Sequence, residues 1–356
     1  MRLVFVTQTL DPEHAALAQT LDLVRALAVR VDELEVVART SRWDGVPANC
    51  VVRTFDARSQ AGRAWAFERA VLPALRRADA VLVHMVPEFA LLAAPVARAR
   101  GVPVLLWYTH WHAGRALKLA TRMMNGVLSV DEASFPIATA KLRPIGHAID
   151  VDAFAGQPPA QHDGPLRLLA LGRTARWKGL ETLLDAVQLV DGAGLALEIR
   201  GPSLTPDEVT HRGELERRIA ADPMLSKTTT LRDSVARSEI PALLARADLI
   251  VSPNEPRSGA TFDKVVFEAA ACARPVISTN PAFAKLLNDA GLPLLAPPGD
   301  AAALASSIGA VARASFEDRV ETGAELRRRV IRDHSLEHWA DAVIAAVREV
   351  RSPRGG

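Results

Sequence analysis

The chain has 356 residues, of which 49% are hydrophobic and 24% charged, and its net charge is a mild +2. That length exceeds one comfortable core and suits two domains of roughly 150–200 residues; the composition is ordinary for a soluble globular enzyme. With only Cys50 and Cys272 there is no disulfide framework, and a reducing, cytoplasmic setting is expected.

In chain order, the first apolar run covers 3–7 and stops at Thr7-Gln8. It reads as a strand, too short for the core of a signal peptide. No apolar run reaches the roughly 18–20 residues of a membrane span. Further strands are expected over 35–38, 51–54, 80–84, 104–107, 126–130 and 142–145, with helical patterns such as 16–29 and 63–77 between them. The stretch QPPAQHDGP (157–165) is a breaker-rich linker. A second series follows, with strands over 166–171, 196–200, 228–231, 249–252 and 275–278 and helices over 179–190, 240–246 and 263–273. RRADAVLVHMVPE (76–88) and ARADLIVSPNEP (245–256) echo one another as helix, Arg-Ala-Asp turn, buried strand and Pro/Glu loop. A last helix over 335–350 takes Ser335 as its N-cap and carries Trp339, Val343 and Val347 on one face. The alternation predicts an α/β chain of two similar doubly wound domains around a cleft.

Charge is distributed unevenly. Between Arg58 and Arg122 ten Lys/Arg stand against three acids; they read either as solvated helix faces or as a basic face for an anionic membrane or substrate. No nucleic-acid partner is expected. In GRTARWKG (172–179), Arg173, Arg176 and Lys178 crowd the start of a helix, where the macrodipole disfavours cations. A phosphate held among them and on the helix amides would remove the conflict. In 252–279 a strand, a Pro/Gly/Ser loop and a helix follow one another, and Glu268 sits on the helix in an apolar setting. A buried carboxylate needs partners. Lys264, four residues earlier, offers an ion pair; two vicinal hydroxyls of a ligand are the alternative, with amides at 259–261 meeting a phosphate.

Taken together, ALGRTARWKGLETLLDAV (170–187), DKVVFEAAACARPVIS (263–278) and the junction PIGHAIDVDAF (144–154) resemble the retaining GT-B glycosyltransferases of the large family-4 type. The resemblance spans about 3–347 and is densest over 143–280. It implies two Rossmann-like domains, 1–150 and 151–334, with the helix 335–350 crossing back to the first. It also implies a nucleotide-diphosphate hexose donor, UDP- or GDP-linked, on the second domain and a glycan, lipid-linked or small-molecule acceptor on the first. Carried over by position, Gly172, Arg173, Lys178, Gly201, Ser203, Gly259, Ala260, Thr261, Lys264 and Glu268 bind the donor. Arg173 and Lys178 take its diphosphate, Glu268 its ribose hydroxyls, and Gly201, Ser203 and the loop 235–240 lie near its base. His110, in LWYTHWH (106–112), reaches the donor sugar or diphosphate and completes a catalytic set with Arg173 and Lys178. Trp107 belongs to the core, whereas Asp11, His14, Tyr108, Trp111 and His112 form the acceptor side. The implied reaction retains the anomeric configuration by front-face attack, with no covalent nucleophile, no metal and no cofactor beyond the donor.

This chain departs from the family pattern at two places. The family carries a second glutamate eight residues before the ribose-binding one, where Ala260 stands here; its work falls to the backbone around 259–261, to Asp263 or to Lys264, or is absent. The loop after the first strand, QTLDPEH (8–14), lacks the usual paired glycines. Asp150-Val-Asp152 lies in the junction and is not read as a metal site. His84 ends a strand and faces either the cleft or the core, while His162, His211, His334 and His338 read as surface groups. Rival readings are a non-catalytic sugar- or nucleotide-binding relative, a GT-B epimerase or phosphorylase, and a nicotinamide-dependent oxidoreductase, for which no Gly-x-Gly-x-x-Gly turn follows a strand. A cytoplasmic location is expected, with peripheral contact to the inner membrane face through 58–122.

Overall fold

The computed structural model describes every residue except 15–16, 18, 58, 111, 156–159, 191–193, 256–262 and 352–356. The chain divides into unit 1, Met1–Ala148 with Asp333–Gly356, and unit 2, Ile149–Arg332. In chain order the first series of elements is β1 (Arg2–Leu10), α1 (Thr20–Ala28), β2 (Glu33–Ser41), β3 (Cys50–Thr54), α2 (Gln60–Ala74), β4 (Ala80–His84), α3 (Pro87–Ala99), β5 (Val104–Trp107), α4 (Arg115–Met123), β6 (Gly126–Ser129) and β7 (Leu142–Pro144). The second is β8 (Leu166–Leu171), α5 (Leu180–Leu189), β9 (Leu195–Arg200), α6 (Pro206–Ala221), α7 (Leu225–Thr228), β10 (Thr229–Arg232), α8 (Ile240–Arg246), β11 (Leu249–Ser252), α9 (Lys264–Ala271) and β12 (Val276–Ser278), followed by α10 (Ala284–Leu287), α11 (Ala301–Arg313), α12 (Phe316–His334) and α13 (Leu336–Arg351).

Unit 1 holds a seven-stranded parallel sheet in the order β3-β2-β1-β4-β5-β6-β7. Every residue of β4, β5 and β6 is buried, as parallel strands covered on both faces require. Alternate residues feed two separate cores. Leu3, Phe5, Leu82, Leu105 and Trp107 meet α1 and α13, while Val4, Val6, Val83, Val104 and Leu106 meet α2, α3 and α4. Fully buried Trp339 of α13 packs 4.8 Å from Trp107, which seats this helix on unit 1. β1 runs past the expected 3–7 because its ladder with β2 continues to Leu10↔Ser41, and Thr40 Oγ1 donates to Thr9 Oγ1 at 3.0 Å.

Unit 2 holds a five-stranded parallel sheet in the order β10-β9-β8-β11-β12. Its helix α6 escapes a periodicity reading because its face is mostly polar. Its start is marked instead by Thr205, whose Oγ1 accepts from Glu208 N at 3.3 Å, with Pro206 next in the chain. Among the described residues, no helix is long and apolar enough to cross a membrane.

Candidate functional site

In unit 2 the strand order reverses at β8, whose neighbours are β9 on one side and β11 on the other. Open α/β sheets bind ligands beyond the carboxyl ends of strands at such a point. Two glycines let the loops there pack backbone to backbone. Gly179 has φ +63°, and a Cβ on it would fall 1.8 Å from Pro253 O. A Cβ on Gly201, just after β9, would fall 1.7 Å from Gly172 O.

This closeness brings Lys178 to Asp263. Lys178, only 8% exposed, donates to Asp263 Oδ2 at 2.6 Å, and Ser252 Oγ (3.1 Å) and Asn254 Nδ2 (2.9 Å) donate to the same oxygen. Burial alone would raise the Asp263 pKa. The Lys178 charge and the three hydrogen bonds outweigh it and hold the carboxyl below its ordinary 3.8. Asn254 Oδ1, buried beside them, has no hydrogen-bond partner among the described residues. On α9, buried Glu268 has Lys264 Nζ and Arg237 Nη1 each 3.4 Å from Oε1. The expected Lys264–Glu268 pair is thus present, joined by Arg237 from the 235–240 loop.

Arg173 engages buried Glu208 with two nitrogens, Nη2 to Oε1 and Nε to Oε2 at 3.3 Å. Glu208 also accepts from Leu204 N at 2.7 Å, which ties the loop after β9 to Arg173. Ser203 Oγ and Thr174 Oγ1 lie 2.6 Å apart. Arg176 faces Glu214 (2.8 Å), Asp207 (3.5 Å) and Glu181 (3.8 Å). The crowding of cations that argues for a bound phosphate is therefore relieved by the protein's own carboxylates. Periodicity and local spacing miss these partners because Glu208 and Asp263 lie 35 and 85 residues from the cations they meet. The Thr-Pro-Asp-Glu start of α6 is the signal that could have flagged Glu208. His211 is not a surface group: it is fully buried, and its Nδ1 donates to Thr174 O at 2.7 Å. Asp150 Oδ1 accepts from the backbone amides of Asp152 (3.2 Å) and Ala153 (3.0 Å), so this acid caps a turn. Gly259, Ala260 and Thr261 lie outside the described residues.

In unit 1 the residues of LWYTHWH separate. Tyr108 does not form a wall for a ligand: it is 7% exposed, its ring stands edge-on to Phe135, and its hydroxyl donates to His112 O at 2.8 Å. Alternation with Leu106 turns it into the core beneath α2–α4. His110 and His112 are exposed, and His110 Nδ1 accepts from His112 N at 3.1 Å. Partial burial and then His112 hold the His110 pKa below 6.5. Trp111 lies outside the described residues. His84 is a core residue, stacked between Phe5 (5.8 Å) and Trp107 (4.9 Å) with Thr7 Oγ1 at 3.1 Å from Nδ1. Burial pushes its pKa down to about 4. Asp11 Oδ1 accepts from Glu13 N (2.9 Å) and His14 Nδ1 from Leu17 N (3.0 Å). Both also line a cavity of about 730 Å³ at the carboxyl ends of β1 and β2.

Residues 165–313, which contain Gly172, Arg173, Lys178, Asp263 and Glu268, match the family model described as glycosyl transferases group 1. Over 221 residues the chain is 29% identical to a GDP-mannose-dependent alpha-(1-6)-phosphatidylinositol monomannoside mannosyltransferase of Mycobacterium tuberculosis. That alignment spans 53% of this chain and 55% of the relative, so the chain matches about half the relative's length. Among solved structures, a glycosyltransferase from Rickettsia africae superposes with a TM-score of 0.77 at 14% identity, covering 99% of each chain. Anabaena HepE in complex with UDP gives 0.76 at 16% identity, over 98% of this chain and 100% of that one. Sucrose-phosphate synthase from Thermosynechococcus elongatus gives 0.75 at 16%, over 98% of each. The two parallel-sheet units have the GT-B fold. The match to the model described as glycosyl transferases group 1 falls on the second of them and spans its sheet.

Proposed function

We propose that the protein is a retaining, metal-independent hexosyltransferase that moves a sugar from a UDP- or GDP-linked donor to an acceptor hydroxyl. The observation that carries this reading is the meeting of Lys178 and Asp263 at the strand-order reversal of unit 2, with Glu268 paired to Lys264 on the helix that follows Asp263, all inside the matched segment. In this scheme Glu268 accepts the ribose hydroxyls. Lys178 neutralises charge that develops on the leaving diphosphate, the term that dominates such a barrier, and Arg173 adds a second cation held in place by Glu208. With alanine at 260, Asp263 is the carboxylate available to donor-sugar hydroxyls, and Asn254 Oδ1 is a buried acceptor in need of a donor. The attacking hydroxyl gives its proton to the departing phosphate, so no covalent enzyme nucleophile takes part, and His110 contributes from unit 1.

A relative named for GDP-mannose and a phosphatidylinositol mannoside, and a fold neighbour complexed with UDP, support a nucleotide-sugar donor and a lipid-linked acceptor. Peripheral contact with an anionic membrane is supported by Trp65 of α2, 63% exposed with Arg69 over its ring at 4.8 Å, and by Leu119 of α4, 48% exposed beside Lys118. A thermal-shift panel of UDP, GDP and ADP sugars identifies the donor. Lys178→Ala and Glu268→Ala are each expected to abolish its stabilisation, and unchanged shifts in both would refute the assignment. Proton NMR of the first-formed product reads retention, and cosedimentation with vesicles that ignored anionic lipid would sink the membrane contact.

A further inference from the structure

The sheet of unit 1 also reverses its strand order, at β1 between β2 and β4. The 730 Å³ cavity opens at that point, lined from the loops after β1, β2 and β4 and by α2 and α3. Its size falls within the roughly 300–1,000 Å³ of small-molecule sites. Its lining carries Arg39, Arg42 and Arg63 together with Asp11 and Glu88, and Asp11 stands beside Arg42. Val86 and Phe89 add apolar surface to the lining.

The three guanidiniums are unequally engaged. Arg39 Nε donates to Asp56 at 3.0 Å. Arg42, its side chain 78% exposed, comes no nearer than 3.8 Å to Asp11, which is beyond a hydrogen bond. Among the described residues, neither Arg42 nor Arg63 donates a side-chain hydrogen bond. A cavity holding two such groups offers forked donors to a tetrahedral oxyanion, which guanidinium geometry matches with paired bonds. The carboxylates of the lining suit hydroxyl donors, and its apolar side chains suit the C–H face of a ring.

We infer that this cavity binds the acceptor, and that the acceptor is a hydroxyl-bearing ring or polyol that carries a phosphate ester, read by Arg42 and Arg63. The inference rests on the glycosyl-transfer reading for the word acceptor, but the binding claim stands on the cavity. The test is calorimetric titration of the full chain with glucose 6-phosphate and with glucose. Cosedimentation with phosphatidylcholine vesicles, with and without phosphatidylinositol, runs in parallel. The Arg42→Gln/Arg63→Gln double variant is carried through both assays. The phosphate ester is expected to bind at least about tenfold more tightly than the neutral sugar, and the double variant to lose about tenfold or more. Binding of the soluble ester, or of the phosphatidylinositol vesicles alone, supports the inference and tells a free phosphate from a lipid headgroup. Equal affinity for phosphorylated and neutral ligands, binding of neither ester, or an unchanged double variant overturns it. Stabilisation by nucleotide sugar serves as the fold control for the variant. It also separates the two readings: donor binding that needs Lys178 alongside silent arginines removes only this inference, and phosphate binding without any donor effect removes only the transferase reading.

Discussion

In both units an aspartate just before the fourth strand exchanges backbone and side-chain hydrogen bonds with an arginine at the start of the first. Asp79 N donates to Arg2 O (2.8 Å) while Arg2 N donates to Asp79 Oδ2 (2.7 Å); Asp248 and Arg167 repeat this at 2.9 and 2.8 Å. The next residues keep the same register, Leu3↔Ala80 in unit 1 and Leu168↔Leu249 in unit 2. Beyond the carboxyl ends of those strands the likeness stops. Unit 2 buries a Lys178–Asp263 ion pair and Glu268 there, whereas unit 1 buries neutral His84 among aromatic rings and leaves its arginines at an open cavity. A shared topology therefore sets where a site can be. Which charges are buried, and with what, sets what it can bind.

The sharpest way to break this contrast is Asp263→Ala, which leaves the Lys178 ammonium buried without its partner. Unit 2 should lose about 3–5 kcal/mol in urea unfolding, with the unit 1 transition unmoved; a loss below about 1 kcal/mol would mean the pair is not buried in solution. Acid should separate the units next. His84 binds a proton near pH 6.5 when unfolded but only near 4 when folded. Its contribution is therefore complete above pH 6.5 and falls away as pH drops toward 4, by about 3 kcal/mol. Asp263 has a lowered pKa, so its contribution persists until pH falls below the ordinary carboxylate value of 3.8. Calorimetry from pH 7 to 4 should show unit 1 weakening first, and His84→Phe should flatten that slope.

The strand-start aspartates give a smaller and more even effect. Asp79→Ala and Asp248→Ala should each cost about 1–3 kcal/mol, with the larger loss at Asp248, which also holds Arg167 Nη2 (2.8 Å) and His162 (2.9 Å). Losses in the reverse order would show that the two turns are not equivalent in energy. Smallest of all, Glu349→Ala removes the exposed pair that ties Arg143 to α13 and should move the unit 1 midpoint by no more than about 0.5 kcal/mol.

Strands β4, β5, β8 and β11 and helix α8 have the bounds that apolar patterning predicts. Buried parallel strands are short apolar runs flanked by polar residues, and that contrast is local. Helix α6 lacks such a contrast and shows only its cap. In the site, Glu268 stands out because a carboxylate among apolar neighbours demands partners, and Lys178 because cations crowd the start of a helix. Glu208 and Arg237 do not, since each looks like an ordinary polar residue until the fold brings it across, and Asp263 is noticed only as a stand-in for the glutamate missing at Ala260. Tyr108 reads as an exposed aromatic because its residue type suits a sugar; its place in the strand alternation sends it inward instead.

Periodicity, linker and junction residues were enough by themselves to specify two doubly wound units and to single out candidate residues at the carboxyl ends of β8 and β11. Such signals are written in contiguous residues, and backbone geometry reads them directly. The folded arrangement alone determined that Arg173 and Lys178 already have carboxylate partners, that His84 and His211 are buried, and that Arg42 and Arg63 meet at one cavity. Charge compensation and burial depend on distance in space, and the residues that meet at these sites are separated by tens of positions along the chain.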